Sequence, residues 1–306
     1  MKVSIIVSVY NEDVVLKSFY KEMMNTLQIC DCNYELIFVN DGSVDNSQKI
    51  IDGICLENSS VKSILFSTNF GHEAAMIAGI DYATGDVIIC MDSDLQHPPA
   101  MIIEMLRRFS EGDVEIINMV SKDSDNRKRS KLFYKTLNLI SPYELAVNAS
   151  DFFLISAKVA GILREDYRER VRFIRGFIQI IGFSKTTIVY EVADRAAGKS
   201  KYTIRQLLSL SVTAVATLSK LPLKTGIYMG MISALFSLFV AIYSIVMKFI
   251  DQPVSGYTTI IVFLGFMFSI QFFILGIMGE YIGFLFDEQK KRPIYIVAKT
   301  HNISKK

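Results

Sequence analysis

Residues Gly85–Pro99 read GDVIICMDSDLQHPP, and the fold turns on this stretch. Asp86–Met91 is a short, mostly apolar run rich in Val and Ile, bounded by Gly85 and Asp92. That composition and length predict a buried parallel strand. Asp92, Ser93, Asp94, Leu95 and Gln96 follow straight off its C-terminal end. In open α/β sheets, ligands occupy the crevice beyond the carboxyl ends of the strands. Two carboxylates and an amide oxygen, spaced i, i+2 and i+4 in extended chain, can converge on one hard cation. Mg²⁺ or Mn²⁺ suits oxygen ligands and usually bridges substrate phosphates. An isolated Asp-x-Asp is more often a solvated acidic turn, here one leading to a helix start at Pro98-Pro99. The position after a buried strand, with the motifs below, favours the metal site.

Upstream, strands and helices alternate. Lys2–Val9 reads as a strand, and Asp13–Ile29 as a helix with Val14, Val15, Phe19, Met23 and Leu27 on one side. Tyr34–Val39 is a strand ending in Asn40-Asp41-Gly42-Ser43, and Val44–Leu56 is helical. Val61–Phe66 is a third strand and Glu73–Ala83 a helix. This order predicts an α/β fold with βαβ crossovers and a mostly parallel sheet. Asn11-Glu12, Asp41 and Asp92/Asp94 then share one sheet edge, where a nucleotide would lie. Asp41 alone fits a turn former equally well.

Downstream, Pro98–Phe109 reads as a helix and Val114–Val120 as a strand. Ser121–Lys131 is a polar, basic loop: a solvated surface by default, or a lid holding phosphate through Lys122, Arg127, Arg129 and Lys131. Ala149–Ile155 is apolar apart from Asp151, whose carboxylate must be partnered, face a cleft or lie on an exposed edge. Tyr167–Phe183 mixes Arg with Phe and Ile at helical spacing. It is either a buried amphipathic helix or, the sharper option, a helix lying in a headgroup plane. Val189–Val192 reads as a strand, and Thr203–Leu221 as a weakly charged apolar helix.

The chain has 306 residues and a net charge of +2, so there is no bulk electrostatic case for a nucleic-acid partner. Hydrophobic residues make up 51% and mean hydropathy is +0.32, high for a soluble protein. The excess lies late: Thr225–Met247 and Tyr257–Gly279 carry no Asp, Glu, Lys or Arg, and each exceeds the ~20 residues that span a bilayer. Lys220 and Lys224 precede the first span, and Lys290, Lys291 and Arg292 follow the second. The positive-inside rule puts both ends in the cytosol, with a tight external hairpin. Gln271 and Glu280 are candidates for pairing between the spans. The apolar N-terminal run is too short for a signal peptide and reads better as a strand. Cys30, Cys32, Cys55 and Cys90 show no metal spacing and read as reduced thiols. The expected organisation is a cytosolic domain over residues 1–202, a juxtamembrane helix over 203–223, two spans over 224–286 and a cytosolic tail over 287–306. The spans and the Arg292–Lys299 tail, which reads as a strand, suggest a homo-oligomer.

Four stretches carry a resemblance: SIIVSVYNE (Ser4–Glu12), VNDGS (Val39–Ser43), DSDLQ (Asp92–Gln96) and RAAGKSKY (Arg195–Tyr202). Together they resemble the polyprenyl-phosphate branch of family 2 glycosyltransferases, which includes dolichol-phosphate mannose synthases and bactoprenol glucosyltransferases. The two C-terminal spans are most similar to the bactoprenol type. The resemblance implies a GT-A fold and a bacterial inner-membrane enzyme. It would transfer a hexose, by analogy glucose from UDP-glucose, to a polyprenyl phosphate. It implies Tyr10, Glu12, Asp41, Asp92 and Ser93 for the nucleotide sugar, and Asp92, Asp94 and Gln96 for Mg²⁺ or Mn²⁺. It implies Asp94 and Asp151 for catalysis, with Ser150 standing where the family has Gly. Arg127, Arg129, Arg195, Ser200 and Lys201 are implied for phosphate of donor or acceptor.

The chemistry is consistent with these residue types. Departure of a diphosphate builds negative charge that a divalent cation and Lys/Arg neutralise. A lipid phosphate has a second pKa of ~6, like other phosphomonoesters, and is a nucleophile at neutral pH without a strong base. Asp151 then orients more than it abstracts a proton, and direct displacement inverts the anomeric centre. N-acetylglucosamine, galactose, mannose and aminoarabinose donors stay open. A processive polysaccharide synthase would need a Gln-x-x-Arg-Trp element and more spans, and this chain has no Trp. A catalytically dead scaffold, or a soluble transferase using the hairpin only to oligomerise, ranks lower.

Overall fold

The computed structural model describes residues 1–30, 32–122, 149–169, 173–191, 221–250 and 256–303. These fall into two compact units, one within Met1–Ala214 and Arg292–Lys306, the other within Val215–Lys291. Arg127, Arg129, Arg195, Ser200, Lys201 and nearly all of the expected juxtamembrane helix lie outside the described residues.

Runs of Val, Ile and Phe at alternating positions build the sheet of the first unit. Its elements are β1 (Lys2–Val9), α1 (Leu16–Cys30), β2 (Asn33–Asn40), α2 (Ser47–Glu57), β3 (Val61–Phe66), α3 (His72–Tyr82), β4 (Val87–Asp92), α4 (Met101–Glu111), β5 (Ile116–Ser121), β6 (Ala149–Ser156), α5 (Ala157–Glu165), α6 (Ile174–Ile180), β7 (Lys185–Tyr190) and, after the second unit, β8 (Val297–His301). The strand order is β7-β5-β6-β4-β1-β2-β3-β8. The block β3-β2-β1-β4 is parallel throughout, as is the β5/β7 pair. β6 runs antiparallel to β4 and β5, and β8 antiparallel to β3, so the sheet is mixed. Strand order reverses at β1, between β2 and β4, and this opens a crevice at the carboxyl ends.

Successive side chains alternate between two cores. Ile5, Val7 and Phe38 pack with Phe19, Met23, Ile51 and Met105 from α1, α2 and α4. Ile6, Ile37 and Cys90 pack with Ile77, Val159, Leu163 and Phe177 from α3, α5 and α6. α3 lies so close to β1 that a Cβ on Gly79 would overlap Ile6 Cγ2.

Two expectations need correction. Among the described residues, the Tyr167–Phe183 segment holds the seven-residue α6, with Ile174, Phe177 and Ile178 buried in the core. Its apolar side faces the sheet, so the headgroup-plane reading fails. The seventh strand lies over Lys185–Tyr190, beginning before the expected start at Val189. The tail strand pairs with β3 of its own chain. There Lys299 Nζ meets Asp52 Oδ2 at 2.9 Å and Tyr295 Oη donates to Asp81 Oδ2 at 2.7 Å. α5 was not foreseen; its N-cap is Ser156, whose Oγ accepts from the Val159 N–H.

The second unit is α7 (Leu221–Phe249) and α8 (Tyr257–Gln289). Both are long and apolar enough to cross a membrane, over Leu223–Met247 and Val262–Gln289. Their apolar side chains are exposed, unlike those of core helices. Ser233 is buried between them, with Oγ 3.1 Å from Met267 Sδ, while Gln271 and Glu280 are exposed.

Candidate active site

The loops after β1 and β2 are laced together. The Asn11 N–H donates to Ser43 Oγ and the Val44 N–H to Asn11 Oδ1, both at 2.9 Å. The Glu12 N–H donates to Ser47 Oγ at 3.0 Å. Gly42 has φ +68°, and a Cβ there would come within 2.5 Å of the Thr68 carbonyl carbon, so only Gly admits the 68–71 loop this closely. Beside it Asp41, 3% exposed, accepts from the Phe70 N–H at 2.6 Å and the Gly71 N–H at 2.9 Å. Burial pushes the Asp41 carboxyl up, and the two N–H donors pull against that shift. This carboxylate therefore sets the N-terminal end of α3. Tyr10 is partly exposed at the same edge.

α3 begins with His72 and Glu73, and these meet the end of β4. Ser8 pairs in register with Asp92. Ser8 Oγ donates to Asp92 Oδ1 at 3.0 Å and lies 3.0 Å from His72 Nδ1. His72 Nε2 stands 3.2 Å from Asp151 Oδ2, on β6. Arg175 forks onto Asp151, with Nε on one oxygen and Nη2 on the other. Glu73 Oε2 accepts from the Ile174 N–H at 2.9 Å and so fixes the start of the helix that carries Arg175. Ligand atoms of His72, Asp92 and Asp151 all lie within 4.8 Å of one another.

Burial opposes charge on Asp151, but Arg175 and His72 outweigh it and hold the carboxyl well below the usual range. Burial likewise opposes a charged His72, yet Asp92 and Asp151 raise it to about 10. Burial and the Asp151 charge push Glu73 up. The site is thus a compact cluster of opposite charges at the topological switch point.

The Asp92 N–H donates to His97 Nδ1 at 3.0 Å, and the His97 ring stacks on Phe152 with centroids 5.1 Å apart. Beyond Asp92 the chain turns. Leu95 has φ +63°, and Asp94 Oδ1 accepts from the Gln96 N–H at 3.1 Å. Asp92, Asp94 and Gln96 therefore sit on a tight turn where extended chain was expected. The compact trio joins Asp92 to His72 and Asp151, and Asp94 is not part of it. Ser93 is buried beneath the turn. His72, Glu73, His97, Arg175 and Ser8 were not singled out by the sequence reading. Arg175 stood in the stretch read as either a buried amphipathic helix or a headgroup-plane helix, and neither reading named Asp151 as its partner.

Known proteins share this architecture. Residues 4–164 match the profile described as Glycosyl transferase family 2. A Bacillus subtilis (strain 168) protein named "Uncharacterized glycosyltransferase YkcC" is 36% identical, over 99% of this chain and 95% of its own length. The "SfII prophage-derived bactoprenol glucosyl transferase" of Shigella flexneri is 32% identical, over 98% of this chain and 99% of its own. A crystal structure of glucosyl-3-phosphoglycerate synthase from Mycobacterium tuberculosis, in complex with Mn²⁺, uridine diphosphate and phosphoglyceric acid, aligns with TM-score 0.51 at 16% identity. It covers 71% of this chain and 77% of that one, a likeness of fold in the GT-A class.

Proposed function

The chain belongs to glycosyl transferase family 2, and from that premise we propose that it transfers a hexose from a nucleotide sugar, UDP-glucose first among the candidates, to a polyprenyl phosphate at the cytosolic face of a bacterial inner membrane. The carrying observation is the charge cluster at the β1/β4 switch point. There Asp92 opens to solvent on one side and meets His72 and Asp151 on the other. The names of the bactoprenol relatives support the acceptor, since the alignments run nearly end to end. Two long apolar helices with exposed side chains support the membrane. In this reading residues 1–202 catalyse, 203–223 lie at the membrane, 224–286 span it and 287–306 return to the cytosol.

A hard divalent cation would be held by the carboxylates of Asp92 and Asp94 and the amide of Gln96, oxygen donors on one turn, with Asp92 also within reach of His72 and Asp151. Mg²⁺ or Mn²⁺, when bound, neutralises the charge that grows on the departing diphosphate. Tyr10, Glu12, Asp41 and Ser93 hold the nucleotide side of the donor. Arg127, Arg129, Arg195, Ser200 and Lys201 supply further phosphate contacts. Asp151 stays ionised against Arg175 and His72, so its task is positioning; the acceptor phosphate needs no strong base.

The test is to incubate membranes bearing the protein with a panel of labelled nucleotide sugars, undecaprenyl phosphate and Mg²⁺. Label from UDP-glucose is expected in the organic phase. Asp94→Ala is expected to lower the transfer at least ~100-fold, the scale of losing several kcal/mol of charge stabilisation. Wild-type turnover in that variant removes the metal assignment. Label from a different sugar alone revises the donor.

A further inference from the structure

We propose that His97 is the positioning residue of the cation-binding turn: its Nδ1 staples the backbone of Asp92 and so presets Asp92, Asp94 and Gln96 for one divalent cation. This rests on the metal reading above and adds to it the residue that shapes the site. β4 ends at Asp92, and the N–H there donates to His97 Nδ1 at 3.0 Å. Asp92 Oδ2, 3.8 Å from the same nitrogen, lies beyond hydrogen-bond reach. Nδ1 is the acceptor, so the ring proton sits on Nε2. The staple joins the two ends of the stretch Asp92–His97, and all three cation ligands lie inside it.

The turn needs such a staple. Leu95 has φ +63°, the left-handed region that side chains other than glycine rarely adopt. A residue stays there only where its surroundings over-determine it. Two hydrogen bonds hold it here: the Gln96 N–H to Asp94 Oδ1 within the turn, and the Asp92 N–H to His97 Nδ1 across its ends. The His97 ring is itself fixed. It is 6% exposed, lies at 21° to the Phe152 ring and meets the edge of Tyr190 at 6.1 Å. Phe152 and Tyr190 belong to the first core, so the turn is referenced to β6 and β7 as well as to β4. A phenyl ring would fill this space without the cost of burying an imidazole. What the imidazole adds is an acceptor, and that acceptor meets the Asp92 N–H. Oxygen ligands must stand at nearly fixed distances from a small hard cation, so a turn held in advance binds it more tightly than one that must first fold.

The experiment uses the full chain in lipid nanodiscs and Mn²⁺ alone as the probe, its binding read by electron paramagnetic resonance with no donor or acceptor present. His97→Phe keeps the ring and removes the acceptor. Its Mn²⁺ Kd is expected to rise roughly tenfold, the scale of one lost hydrogen bond, with the thermal midpoint close to wild type. Its turnover is expected to return towards wild type at saturating Mn²⁺, with the half-activating concentration shifted by the same factor. His97→Asn keeps an acceptor, Oδ1, where Nδ1 stood and removes the ring. Its thermal midpoint is expected to fall well below wild type, while its Mn²⁺ Kd stays within about threefold. A residue that only fills space cannot give affinity and stability in opposite order across these two variants. Mn²⁺ binding in His97→Phe equal to wild type, or binding in His97→Asn as weak as in His97→Phe, overturns the proposal. If one variant fails to fold, the other is judged against wild type. If both fail, ¹⁵N spectra of histidine-labelled wild type decide: a His97 ring protonated at Nε2 alone is expected, and a proton on Nδ1 overturns the staple. If wild type binds no Mn²⁺, or Asp94→Ala binds it equally well, the metal reading falls and this inference with it; if Asp94→Ala alone loses Mn²⁺ and both His97 variants bind like wild type, the inference falls alone.

Discussion

Glu35 lies on β2 with 2% of its side chain exposed and is nonetheless ionised. It accepts from Ser4 Oγ and from the Thr84 N–H, and Lys62 Nζ and Lys2 Nζ stand 2.6 and 3.1 Å from Oε2. Burial resists the charge, but Lys62, Ser4, Thr84 and Lys2 together bring its pKa from 4.5 to about 2. A carboxyl whose folded pKa is depressed stabilises the fold above its unfolded pKa. That contribution is lost as pH falls through the folded value. Wild type is therefore expected to exceed Glu35→Gln by on the order of 2–3 kcal/mol at pH 7. Urea melts should show the gap closing between about pH 4.5 and pH 2, and a gap that stays constant across this window would refute the assignment. The same scale shows what local sequence reveals. Asp92 and Asp94 were legible because they follow a buried strand directly. Asp41 was legible only as a turn former or a nucleotide ligand, and its bonds to the Phe70 and Gly71 N–H groups cross to another loop instead of closing its own turn. His72 and Arg175 reach Asp151 from distant parts of the chain, and no local pattern announces such partners.

Among the elements, α3 connects the fold to the site most directly. Its N-terminal residues His72 and Glu73 hold Asp151 and α6, while Gly79 lets its other end press on β1. Gly79→Ala drives a methyl into Ile6, so α3 must lift. The expected cost is about 1–3 kcal/mol, as for other overpacked cores. Transfer activity should fall as well, because the same lift displaces His72. Gly53→Ala in α2 is the control: nothing lies within 4 Å of the new Cβ, and the helix is expected to gain about 0.5–1 kcal/mol. Denaturant melts of both variants, read beside their turnover, check this; equal effects would mean that α3 does not couple packing to the site. The α1-to-β4 alternation was readable because period 3.6 and buried apolar runs differ sharply. For α6 the sequence left a buried helix and a headgroup-plane helix open, because an Arg-bearing apolar face has the same period against a sheet as against headgroups. Only the partner, here Asp151 on β6, decides between them.

At the scale of the whole molecule, both apolar helices are inserted within the sequence of the first unit, and the chain returns to complete that unit's sheet. The two long apolar helices were legible because charge-free runs of that length have few alternatives. The return was not, because an edge strand's sequence does not say which edge it joins. β8 covers β3, and Tyr295 stacks on Phe66 with centroids 5.1 Å apart while its hydroxyl bonds Asp81. Asn302, at φ +56°, donates to the carbonyls of Cys55 and Val61 at 2.8 Å. Ile294, Val297 and Ile303 add apolar area to the second core. Deleting residues 292–306 is therefore expected to cost several kcal/mol, at roughly 25 cal/mol per Å² of re-exposed apolar surface. It also bares a row of β3 backbone groups that invites pairing between chains. Tyr295→Phe, which removes one hydrogen bond and keeps the ring stack, is expected to cost only about 1 kcal/mol. Thermal melts and size-exclusion profiles in detergent should rank wild type above Tyr295→Phe and both well above the truncation, with aggregation confined to the truncated chain. A truncated protein that melts like wild type and stays monodisperse would mean that the sheet is complete without its last strand.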